Sequence, residues 1–322
     1  MKTKMKSIKY LAICIIAIIV ITSSCKKDNT DPPVPGVKSN IDNILKSKRP
    51  TDQVFSVTAG TYQTITGASG TKVSFNPSSF QNRDGSLITS GTVQVSMTEL
   101  YGVDEMMSYN AITISGGRLL QSGGEVLLKA SKAGAEVFSN GATISFPTTN
   151  ISQPMSLFYG DFEIDSIDGD TTIVWDPVDS TIVTNPTRDS SSSSSTTYYN
   201  FTIDSFTWIN CDYFYSSGSP LTDINFVSND SMVDSNTAVF VYFPSINALT
   251  RTHGFDPITH TFTLGWGYQI PVGLNFTVIS ISEVNGNYYS YIQNHTATSG
   301  MTINMNFSPT SLSAFWTAVA AL

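Results

Sequence analysis

The feature that most constrains this chain is a two-residue rhythm. From Val54 onward it runs in short segments whose alternate residues are apolar, broken by Gly, Asn, Asp and Ser. "TKVSF" sets Val73 and Phe75 on one face, "TVQVSM" sets Val93, Val95 and Met97, and "ATISF" sets Ile144 and Phe146. Successive side chains of a strand point to opposite faces, so this period writes half-buried β-strands. Turn residues recurring about every 8 to 12 positions predict an all-β sandwich or barrel. Asn285-Gly286 and Asp168-Gly169 read as hairpin turn pairs.

The rhythm stops twice. At Thr187–Thr197, "TRDSSSSSSTT" holds six consecutive serines, Ser190 to Ser195, and nothing that a core could use. About as much chain lies on each side, so the run is expected to link two β domains, 51–186 and 198–322, with a long inserted loop as the competing reading. After Phe307, Leu312, Phe315, Trp316 and Val319 recur at helical spacing, with Ser308 available as a cap and Pro309 in the first turn. A short C-terminal helix against the sheets is predicted.

The N-terminal end carries a different signal. Lys2, Lys4, Lys6 and Lys9 precede an apolar run from Leu11 to Ile21, the layout of a secretory signal. At 11 residues the run is well short of the roughly 20 that span a bilayer, although a retained anchor helix is the competing reading. Thr22, Ser23, Ser24 and Cys25 resemble a bacterial lipoprotein cleavage box, with Thr22 where leucine is commoner. The expectation is a signal peptide over 1–24 and acylation of Cys25. Two or three acyl chains hold a protein on a membrane where one does not. Residues 25–50, which open "CKKDNTDPPVPG", read as a flexible tether able to stretch ~80 Å.

Loss of residues 1–24 removes four lysines and no acid, turning 17 basic against 25 acidic side chains into 13 against 25. A net charge of −12 argues against nucleic acid, whose binding rests on phosphate neutralisation. Cys14 leaves with the signal, so the remainder holds Cys211 and no partner for it within the folded part. A domain of this size needs no disulfide.

At "GTKVSFNPSSF", "SGTVQVSMTELY", "EMM" and "LLQSGGEVLLKA" the chain resembles a group of Bacteroidota surface lipoproteins whose first domain is distantly similar to the ZU5 β-sandwich. The resemblance continues through "MSLFYGDFEI", "TTIVW" and "FTWINCDYF". It implies an interaction or scaffold module without catalysis.

The residues themselves offer little chemistry. No HExxH, Cys-x-x-Cys or G-x-S-x-G spacing occurs, so neither a metal nor a cofactor is expected. Glu99 is the anomaly, because it extends the apolar face of Val93, Val95 and Met97. A carboxylate there needs donors or a cation, with Lys72 and Arg118 as candidates. It reads as a structural latch, or else as the acid of a glycan-active hydrolase with an unidentified second carboxylate. In "LGWGYQIP", Trp266 sits between Gly265 and Gly267, with Tyr268 two residues on. The pair is either a ring platform for a sugar or part of the core. The expectation is a non-enzymatic, lipid-anchored protein of the outer membrane, facing outward, that acts as a structural module or binds a glycan or another surface protein.

Overall fold

The computed structural model describes residues 40–149, 153–164, 171–178, 184–188, 196–265 and 268–322. The signal, Cys25, the serines at 190–195, the Asp168-Gly169 turn and Trp266 lie outside them.

The chain is all-β; among the described residues four larger sheets stack, beside two two-stranded ones. The first contains, in order, Thr187–Arg188, Thr197–Ile203, Ala142–Thr148, Lys72–Phe75 and Gln63–Thr66. Behind it lies the second, with Gln53–Thr58, Thr92–Leu100, Arg118–Lys132, Trp208–Phe214, Ser156–Ile164 and Thr171–Pro177. The alternating residues picked out in the sequence meet between these two: Val73, Phe75, Val93, Val95, Met97, Ile144 and Phe146 share one buried cluster.

The third sheet runs Ala248–Arg251, Thr237–Phe243, Asn275–Val284, Asn287–Thr296 and Ser308–Thr310. The fourth is Gly254–Asp256, Thr261–Thr263, Ile224–Val227 and Met301–Asn304. Phe226, Val239, Val241, Phe262, Phe276 and Ile303 fill the space between them. The hairpin at Asn285-Gly286 forms as expected. Both residues have positive φ, 53° and 76°, and Val284 faces Asn287 across the turn.

A third apolar layer joins the two sandwiches. The outer face of the second sheet, with Leu100, Leu127, Phe158, Trp175 and Trp208, meets Phe240, Tyr242, Ile279 and Ile281 of the third. Three short helices share that layer: α1 (Asn40–Lys46), α2 (Val103–Tyr109) and α3 (Leu312–Val319). The Glu105 carboxylate accepts from the backbone N–H groups of Tyr101 and Gly102, which caps the start of α2. The C-terminal helix buries Phe315, Trp316 and Val319, as its spacing predicts. Its cap is Ser311, whose hydroxyl accepts from the Ala314 N–H at 3.1 Å. Ser308 and Pro309 instead continue the third sheet's edge.

Two boundaries differ from expectation. Residues 40–50, expected as tether, belong to the folded part instead, because Ile41, Ile44 and Leu45 are buried in the middle layer. The division at 187–197 does not fall between sheets. Thr197–Ile203 pairs with Ala142–Thr148, and Trp208–Phe214 pairs with both Arg118–Lys132 and Ser156–Ile164. The first sandwich therefore extends to Phe214, with strands from both sides of the serine run in each of its sheets. Composition marks where a chain cannot be buried, but strand pairing decides which strands belong together.

Candidate functional site

Glu99 is held by three donors. Its Oε2 accepts from Gln53 Nε2 and from the Ser69 N–H, both at 2.9 Å, and its Oε1 accepts from the Thr71 N–H at 3.0 Å. Gln53 also accepts from the Ala68 N–H at 2.8 Å. Together the two side chains cradle the loop Gly67–Thr71. A Cβ at Gly67 would stand 2.4 Å from Glu99 Oε2, so glycine is required there by close approach. Of the cations suggested for Glu99, Arg118 lies over the Phe214 ring at 4.0 Å and Lys72 over the Tyr198 ring at 4.6 Å. The carboxylate closes a turn through backbone amides, and Glu99 as a whole is only 4% exposed.

Tyr268 does not form part of a ring platform. It is buried with Phe226, Ile270 and Phe276 between the third and fourth sheets, and burial raises its hydroxyl above the usual tyrosine range. Tyr268 lies outside the strands, and its N–H donates to the Gly265 carbonyl at 3.0 Å. Gly265 has φ +66°, and a Cβ there would come within 3.0 Å of the His253 Cβ.

The outward face of the fourth sheet carries a polar surface built on strands. Register places Gly254, Thr263, Asn225 and Thr302 in one row, and Asp256, Thr261, Val227 and Asn304 in the next. Neighbours within a row stand about 4.8 Å apart, and the rows about 7 Å. A shallow groove of about 640 Å³ runs across them. Gly254 makes room for the Thr263 side chain, whose Oγ1 lies 2.4 Å from where a Cβ would sit. The Asp256 carboxylate accepts from the Ile258 N–H and the Thr259 hydroxyl, each at 2.8 Å, which holds it below the usual carboxylate range.

A second polar group is fully buried. Between Asn210 and Asp212 the register with the long strand Arg118–Lys132 slips, so Gly123 and Gly124 together oppose Cys211. Gly124 has φ +125°, and a Cβ there would meet the Tyr101 ring at 2.3 Å. The bulge turns Ser122 and Glu125 to the same face despite their three-residue spacing. Asn210 and Asp212 share that face, alongside Leu100, Leu127 and Trp208. Asn210 Nδ2 donates to Asp212 Oδ2 at 2.7 Å, and the Gly123 N–H donates to Asp212 Oδ1 at 3.3 Å. Burial pushes the Asp212 carboxyl up to about 8. Burial, with Asp212 close by, pushes Glu125 well above the carboxylate range. Cys211 points the other way, into the first sandwich, and burial raises its thiol.

Sequence reasoning passed over this group because "WINCDYF" reads as an ordinary strand. The usable signal was Gly123-Gly124 inside a strand pattern, which marks a bulge. Among the described residues no three His, Cys, Asp or Glu side chains come together.

The fold defines the class: an all-β protein of sandwich type. No family model matches the chain, and no curated protein matches it. Among solved structures, the gamma-CGTase from the alkalophilic Bacillus clarkii aligns with 77% of this chain at 11% identity and a TM-score of 0.19. This chain spans 41% of that protein's length. A likeness of that size carries no argument about function.

Proposed function

We propose that this chain is a lipid-anchored surface module that binds hydroxylated ligands, a glycan foremost, on the outward face of its fourth sheet. The observation that carries the reading is the double row on one strand-built face, in which Thr, Asn and Asp side chains hold every place but those of Gly254 and Val227. Hydroxyl and amide groups repeated at about 4.8 and 7 Å offer donors and acceptors at spacings comparable to those along a sugar chain. Rigid strands hold them in place before any ligand arrives, which lowers the ordering cost of binding.

The remaining parts of the reading rest on the sequence. The apolar run ending at Cys25 supports acyl anchoring, and the resemblance to Bacteroidota surface lipoproteins with a ZU5-like domain supports an interaction role. The engagement of both Glu99 oxygens by amides favours the binding reading over a hydrolase built on that residue. Cys25→Ala should release the protein from the membrane fraction or leave unprocessed precursor. Mature-sized protein still firmly bound would end the anchor proposal.

The test of the binding face is a glycan array probed with the purified chain and with a double variant, Asn225→Ala with Thr302→Ala. Exposed substitutions of this kind usually stay within about 0.5 kcal/mol of wild-type stability. Binding by the wild type that is lost in the variant, at unchanged unfolding temperature, is the expected result. Equal binding by both proteins would move the site elsewhere, Trp266 being the next residue to substitute.

A further inference from the structure

The buried polar group beside the Gly123-Gly124 bulge contains more acceptors than the protein satisfies. Glu125, Asn210 and Asp212 are each wholly excluded from solvent. Asp212 has its donors, but both oxygens of Glu125 and the Oδ1 of Asn210 have no hydrogen-bond partner among the described residues. Glu125 and Asn210 are direct cross-strand partners, so their side chains rise side by side from the same face. The bond from Asn210 Nδ2 to Asp212 fixes the amide plane and leaves Oδ1 as a free acceptor within the group. Unmet acceptors buried this completely are costly, and two neighbouring carboxylates are more so. The chain nonetheless builds a bulge that draws them together.

We propose that Glu125, Asn210 and Asp212, with the Ser122 hydroxyl at the margin, form a binding site for one calcium ion between the second sheet and the middle layer. A divalent ion balances the two carboxylates, and every available ligand atom is oxygen, the set that hard cations take. Calcium accepts irregular geometry and a bidentate carboxylate such as Glu125 could supply. Magnesium retains several waters in near-ideal octahedral geometry, and a site with no solvent exposure has no place for them. Because the ligands are sealed, the ion enters as the chain folds, and its binding energy becomes folding energy.

The test uses the purified full chain, unfolded in denaturant and refolded in EDTA, in calcium, or in magnesium. Metal analysis after removal of free ions should find about one calcium per chain. At a hundredfold excess over Kd the melting temperature should rise by about 5–10 °C with calcium. Magnesium should give no such rise. Glu125→Gln and Asp212→Asn should each lose both the bound calcium and the calcium-dependent shift. Gln and Asn keep the shape of the acids, so both variants are expected to fold. Absence of bound calcium, an equal melting temperature in all three solutions, or an equal response to magnesium would overturn the proposal. A Glu125→Gln chain more stable than wild type in every solution would also overturn it, by showing that the site holds a proton instead.

Discussion

Three amide donors converge on the Glu99 carboxylate, and what they secure is a loop rather than a reaction. Glu99→Ala would strand the Ser69 and Thr71 N–H groups, at about 2–4 kcal/mol for the pair. Glu99→Gln keeps one oxygen as acceptor and should cost roughly half of that. Urea titration of the two variants will show the ordering, and an unchanged midpoint in Glu99→Ala would refute the latch. Asp212 makes a prediction of a different kind. Its carboxyl titrates at about 8 in the folded chain against an ordinary value of 3.8, so the folded state holds the proton more tightly than the unfolded state. The stability from this group is therefore fully present below pH 3.8 and is lost as pH rises towards 8. In EDTA, wild-type urea midpoints should fall across that window, and Asp212→Asn should flatten the fall. Calcium, which needs the deprotonated acid, should oppose it.

At the scale of the elements, one strand explains why part of the architecture was legible and part was not. "TAVFVYF" shows Val239, Val241 and Phe243 on one face, and these do pack between the third and fourth sheets. Ala238, Phe240 and Tyr242 on the other face pack in the middle layer. A run that is apolar on both parities belongs to a strand buried on both sides, which requires a further layer beyond the visible sandwich. Likewise Ile41, Ile44 and Leu45 of α1 follow a proline-rich stretch and read as marginal alone, yet they fill that layer. Pairing across the serine run is long-range, and no local pattern encodes it. The consequence is testable by proteolysis. A cut between Thr187 and Thr197 should leave two pieces that co-elute in native buffer and separate only in denaturant, since strands after the cut sit between strands before it. Dissociation of the pieces without denaturant would contradict this pairing.

Across the whole molecule, the middle layer governs how the chain unfolds. A tandem pair of domains with a small polar contact would melt in two steps. Here Leu100, Phe158, Trp175 and Trp208 from one sandwich meet Phe240, Ile279 and Ile281 from the other, with α1 and α3 between them. Separating the sandwiches would expose this entire apolar layer at about 25 cal/mol per Å². Calorimetry should therefore show one transition whose calorimetric and van't Hoff enthalpies agree. The sharper version uses α1, which belongs to neither sandwich. Ile44→Ala removes a buried side chain from the shared layer and should cost about 2–5 kcal/mol. If the sandwiches are coupled, that loss lowers a single melting temperature and leaves the transition undivided. If they are not, the same substitution splits the trace, one half melting near its original temperature while the other melts early. A split in the wild-type trace, or an Ile44→Ala trace in which only one half moves, would show that the middle layer is contact without coupling.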